Sequence, residues 1–274
     1  MAYTHATSIN KFGVTPLVVA TSAANGSHTT FASAMADAVS GDTIFLRDSV
    51  TENVTLTAGV NIAAWTGGTI NTPTITGTLT MTTAGTCNIS GIRLVTNSAA
   101  LLAVTGSSAS IVNLYNCYLN CSNNTGITLS SSSGSAKIVL SFCGGDIGTT
   151  GIAIFAHSSA GSLIFNFSAI TNSGSSVTSS TCSSGVISFL SSSIASPITT
   201  SSTGVILSLY TTFNTITQST TPLTCGGAAS SMILSQLSGG TASALSVGGT
   251  LGLSNCDISS INTNAITGAG TLNY

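Results

Sequence analysis

Charge is the scarcest property of this chain: four Lys or Arg and six Asp or Glu are spread over 274 residues, and the net charge is only −2. Lys11, Arg47, Arg93 and Lys137 are too few and too dispersed to line a groove that tracks phosphates, so nucleic acid is not an expected partner. Long apolar runs are missing as well. Mean hydropathy is high, at +0.52, yet Ser and Thr interrupt every apolar stretch well short of the roughly 18 residues of a spanning helix. Aromatic residues make up 5% of the chain, too few for the girdles of a membrane barrel, so no membrane insertion is expected. Met1 to Asn10 has no basic segment followed by an apolar one, and no signal peptide is read there.

Metal-ligand spacing is also absent. Cys117 and Cys121 are the nearest pair of the seven cysteines, no second pair accompanies them, and His5, His28 and His157 are scattered. Neither metal nor cofactor is expected. Cys117, Cys143 and Cys256 instead recur at similar places in the chain, which reads as reduced thiols filling an interior row.

What is present is a pulse. Leu102, Ile127, Ile152, Val177, Ile198, Leu223, Leu245 and Ile266 follow one another at separations of 21 to 25 residues. Such a period marks a solenoid, whose units bury their apolar faces only against stacked neighbours. From Gly67 onward short β runs alternate with small-residue turns, two or three strands to a repeat. At about 4.8 Å per parallel strand, roughly eight to ten coils make a rod of about 40 to 50 Å. Inward Ile, Leu, Val, Phe and Cys alternate with outward Ser and Thr, leaving flanks nearly free of charge that suit contacts between subunits.

The start of the chain is different. Residues 1–30 read as an extended lead-in with a strand over Val14 to Val19, followed by the one convincing helix, about 30–39. In it Phe31, Ala34, Met35 and Ala38 fall on one face. Ser40-Gly41-Asp42 stops that helix, and strands follow at Thr43 to Leu46, Asn53 to Leu56 and Val60 to Ala63. A short amphipathic helix ahead of stacked strands covers the first coil, whose core and strand edge would otherwise be bare. The solenoid domain is thus expected over 31–274.

The string from Phe31 through Ala63, with Ser40-Gly41-Asp42-Thr43-Ile44-Phe45-Leu46 and Thr51-Glu52-Asn53-Val54-Thr55-Leu56, resembles the opening of right-handed parallel β-helix proteins of the pectin-lyase-like superfamily. Many bacteriophage tailspikes and other virion appendage or decoration proteins belong to it. Asp48-Ser49-Val50 stands where that family commonly has a Pro-Gly-x-Tyr turn, and beyond these residues only the coil period agrees. The resemblance implies an all-β fold, a single-stranded right-handed parallel β-helix with an N-terminal capping helix. It further implies a structural protein of a phage-like virion, assembled in the host cytoplasm as a homotrimer, with other virion proteins and host-surface polysaccharide as partners.

The chemistry points away from an enzyme. Cleavage between two carboxylates needs them about 5 to 9.5 Å apart, and the shaft offers Asp146 and Asp257, some five coils or about 24 Å apart by the same stacking distance. A depolymerase with a site between subunits is the runner-up, and a surface adhesin the third reading. Asp37, Asp42, Asp48 and Glu52 near the start read as helix-face and turn charges. Tyr115, Tyr118, Phe142, Phe155, Phe165, Phe167, Phe189, Tyr210 and Phe213 recur near equivalent positions and read mainly as core, with the hydroxyls of Tyr118 and Tyr210 at a wet end. Tyr118, Asp146 and Tyr210 are therefore the candidate glycan contacts. Tyr3, His5, Ile9, Lys11 and Phe12, which precede the cap and have no role in the coils, are the candidate attachment residues.

Overall fold

The structure, a computed structural model, describes residues 16–65, 72–96, 100–122, 126–147, 155–171, 180–201, 203–215, 223–226, 230–233, 235–239, 245–260 and 266–274. Every strand pairing among them is parallel, and the strands fall into one sheet of twelve and two of ten. One coil shows the plan. Ser110–Tyr115 lies in the first sheet, Tyr118–Cys121 in the second and Ile127–Leu129 in the third, after which Lys137–Ser141 returns to the first sheet beside Ser110–Tyr115. This is a right-handed parallel β-helix, the hand that parallel crossovers adopt because strands themselves twist to the right. Twelve strands at about 4.8 Å make the first sheet roughly 50 Å long.

Alternation along each strand builds the core. In Lys137–Ser141, Ile138 and Leu140 are fully buried while Val139 faces out. The same holds for Leu163 and Phe165 one coil on. Four of the phenylalanines form an interior stack through Phe155, Phe165, Phe189 and Phe213, with successive ring centroids 5.9, 5.0 and 5.2 Å apart. In the third sheet the register runs Leu102, Ile127, Phe155 and then, through the pairing of Ala156 with Thr181, to Ser180 and Ile198. Ile152 and Val177 lie outside the described residues; the register partners of Ile127 and Ile198 at those two coils are Phe155 and the buried Ser180, three residues further along.

The end cap follows the sequence except at the end of its helix. The helix spans Phe31–Asp37, with Thr30 as N-cap accepting from the Ser33 N–H, and it buries Phe31, Ala34 and Met35. It stops two residues earlier than its apolar pattern suggests, because the backbone of Ala38 is extended and the Val39 N–H is taken by the Asp42 carboxylate at 2.9 Å. Gly41, at φ +101, completes that turn in a conformation that favours glycine. Within the lead-in, Leu17–Val19 pairs with Thr43–Leu46 and so forms the outermost strand of the first sheet. Among the described residues, no helix is long and apolar enough to cross a membrane.

Candidate functional site

The corner between the first and second sheets carries the surface feature that the fold itself does not require. At seven of the described turns of this corner one residue sits in the left-handed backbone region: Asn116, Phe142, Phe167, Ser191, Tyr210 and Asn255 have φ between 46 and 55°, and Gly91 has φ 68°. Their N–H groups form a ladder. Phe142 donates to the Asn166 carbonyl at 3.0 Å, Phe167 to Leu190 at 2.8 Å, Ser191 to Leu209 at 2.9 Å and Tyr210 to Ile233 at 3.1 Å.

The residue after each corner turns inward. Cys117, Cys143, Ser168, Ser192, Thr211 and Ser235 are buried there, and Cys256 is half-buried. Their side chains bond the backbone of the corner: the Ser168 hydroxyl accepts from the Cys143 N–H at 3.2 Å and lies 3.0 Å from the Asn166 carbonyl, and Ser192 accepts from Ser168 N–H at 3.2 Å. The Cys143 thiol makes the matching, longer contacts to the Leu114 and Ser141 carbonyls at 3.6 and 3.5 Å.

Gly and Asn enter the left-handed region readily, whereas a residue with an ordinary Cβ pays about 1 to 2 kcal/mol. Phe142, Phe167 and Tyr210 accept that cost and stay 52%, 50% and 57% exposed. Tyr115, at the end of its first-sheet strand, joins them: its ring lies 5.5 Å from Phe142 at 70°, and Phe142 stacks on Phe167 at 5.2 Å and 7°. Ser191 then interrupts the row, leaving Phe167 and Tyr210 two coils or about 10 Å apart.

The adjoining outer face of the first sheet changes character along the rod. Asn61, Asn88 and Asn113 bond side chain to side chain at 2.7 and 2.8 Å. The same column continues as Val139, Ile164, Ser188 and Leu207. Beside Ser188 a groove of about 380 Å³ opens, lined among others by Leu190, Leu207, Leu209 and Ile233. Tyr115, Phe142, Phe167, Leu207, Tyr210 and Ile233 together make an apolar strip along one flank.

The candidate residues read from the sequence are only partly brought together. Tyr118 pairs with Gly144, so Asp146 lies one coil on and two positions further along the second sheet. The Arg93 guanidinium carbon sits 5.2 Å above the Tyr118 ring. Tyr210 lies some four coils away, about 19 Å, beside Ile233 and the groove. Asp146 and Asp257 belong to strands five steps apart in the second sheet, about 24 Å by stacking. Tyr3, His5, Ile9, Lys11 and Phe12 lie outside the described residues.

The acidic residues of the cap are occupied structurally. The Glu52 carboxylate accepts from the Phe31 and Ala32 N–H groups, both at 2.9 Å, and so caps the helix from a neighbouring coil rather than standing as a turn charge. Asp48 accepts from Thr21 at 2.8 and 2.9 Å, Asp37 meets His28 at 3.0 Å, and Arg47 donates to the Asn25 carbonyl rather than to a carboxylate. Among the described residues, no group of three or more His, Cys, Asp and Glu could hold a metal ion.

Burial governs the titratable groups of the core. It pushes the thiols of Cys87 and Cys225 up to about 12 and that of Cys182 to about 11. The hydrogen bond with Cys117 and burial together push the Cys143 thiol up. His157 is 1% exposed, neither ring nitrogen has a hydrogen-bond partner, and burial holds its pKa below the ordinary value. These are inert interior groups rather than nucleophiles.

Phe142 and Phe167 thus lie outside the core that their recurrence in the sequence suggests. A signal was available: in Asn116-Cys117, Phe142-Cys143, Phe167-Ser168, Tyr210-Thr211 and Asn255-Cys256 the first residue precedes the same inward row, and Asn at two of these positions marks a left-handed corner. Compared with protein-family models, curated proteins and solved structures, the chain matches none.

Proposed function

We propose that this protein is a non-enzymatic structural rod of a phage-like virion, a tail spike, fibre or capsid decoration, that associates as a homotrimer and meets other virion proteins and host-surface polysaccharide. The apolar strip along one flank carries this reading. A rod whose surface is rich in Ser, Thr and Asn with almost no charge offers little for electrostatic recognition, but it does present an apolar face for association. The separation of Asp146 from Asp257, far beyond the span of a glycosidic bond, supports a binding rather than a cleaving role.

Two measurements test it. Antibody against the protein should follow phage-like particles through density-gradient purification of lysates from the producing cells; its recovery only in the soluble fraction would defeat the virion assignment. Incubation with capsular polysaccharide should release no reducing ends. Release that is lost in Asp146→Asn would establish a depolymerase instead.

A further inference from the structure

Phe142, Phe167 and Tyr210 occupy a backbone conformation that disfavours their side chains, at a corner where Gly91, Asn116 and Asn255 do the same work. Each also leaves about half its ring in water. Stacking of Phe142 on Phe167 offsets part of that strain within the chain, but the exposed half of each ring gains nothing in the isolated rod, and backbone strain kept at exposed positions points to a role beyond stability.

We propose that the strip from Tyr115 to Ile233 is the face through which copies of this chain associate, its occupant being the same strip of the other two copies, the three converging on a threefold axis. This rests on the self-assembling rod proposed above and assigns its interface. Area is the first argument. At roughly 200 Å² for each fully exposed large side chain, the half-exposed Tyr115, Phe142, Phe167, Leu207, Tyr210 and Ile233 leave on the order of 600 Å² of apolar surface. That is at the upper end of what a monomer exposes, about 300 to 600 Å², and approaches the roughly 800 Å² per partner of a stable complex once the half-buried Ile164, Leu190 and Leu209 are added.

Spacing and ring geometry give the second and third arguments. Successive coils lie about 4.8 Å apart, and a threefold rotation about an axis along the rod involves no translation, so each layer of the strip meets the same layer of its neighbours. A sugar platform needs free ring faces; here Phe142 and Phe167 are stacked on each other at 7° and Tyr115 abuts Phe142, so this row offers chiefly ring edges for side-by-side association.

Sedimentation equilibrium of the full chain tests the face. Wild type is expected at three times the 27.0 kDa chain mass. The double variant Phe142→Ser, Phe167→Ser and the single variant Ser188→Arg, which places a charge in the groove while removing no contact in the core, should both fall to the mass of one chain with unchanged far-UV circular dichroism. Val39→Ser, exposed on the cap far from the strip, should leave the mass unchanged. A monomeric wild type, variants that remain assembled, or dissociation by Val39→Ser overturns the proposal. A monomeric wild type whose polysaccharide binding is lost in the strip variants would assign the face to glycan instead. Strip-dependent assembly of a protein that never follows particles leaves the interface standing and removes the virion assignment.

Discussion

Replacing Ser168 by Ala should destabilise the rod locally and measurably. The Ser168 hydroxyl is buried, accepts from the Cys143 N–H at 3.2 Å, and has the Asn166 and Leu140 carbonyls at 3.0 and 3.3 Å as acceptors for its one proton. Removing it leaves the Cys143 N–H without this acceptor, at about 1 to 3 kcal/mol, and deletes a donor worth about 1 kcal/mol. A total of about 2 to 4 kcal/mol corresponds to a fall in melting temperature on the order of 4 to 15 °C for a chain of this size. Because repeat arrays open locally, the sharper assay is hydrogen exchange: the Cys143 amide should lose protection while amides of the distant cap do not. Ser168→Cys should cost less, since Cys143 shows that a thiol at this row still reaches two carbonyls, although it is a weak acceptor for the N–H. An Ala variant with unchanged melting and unchanged protection at Cys143 would refute the reading of this row as a structural ladder.

Glu52→Ala removes the carboxylate that holds the Phe31 and Ala32 N–H groups, and the cap should lose about 1 to 3 kcal/mol, read as faster exchange at those two amides. His157 supplies a pH dependence whose sign follows from burial. The folded chain favours the neutral ring, so the unfolded chain protonates first; stability is full above about 6.5 and falls as pH drops through the lowered folded value. Melting of wild type at pH 5 against pH 8 should show a loss that is reduced in His157→Phe. Thiol labelling should find at most Cys256 reactive in the native rod and all seven cysteines after unfolding, because six are buried; rapid native labelling of Cys87 or Cys225 would contradict their burial.

Much of the architecture was legible because a solenoid writes its period into the chain. Inward residues one coil apart must pack on one another, so the run from Ile198 through Leu223 and Leu245 to Ile266 recurs in the actual register of the third sheet. The marker drifts between Ile127 and Ile198 because the strands of the third sheet are spaced unequally along the chain there, and the inward column passes to Phe155 and Ser180. The cap helix was legible from its four apolar positions; its early end was not, since Asp42 reaches back to Val39 only once the turn has closed. The role of Glu52 was hidden for a like reason, the helix ends it serves being 20 and 21 residues away in sequence.

The aromatic residues mark the boundary between the two kinds of information. Sequence alone determined that this is a charge-poor stack of parallel strands with a helix at one end, because alternation, period and capping are local patterns that each coil repeats. Which rings face the core and which face water depends on the corner residues whose backbone turns left-handed. Phe165 and Phe142 are both aromatic residues near the same corner; one is wholly buried and the other half in solvent. Only the closing of the coil, with the first sheet meeting the second at that residue, aims Phe142, Phe167 and Tyr210 outward and lines them up into a face.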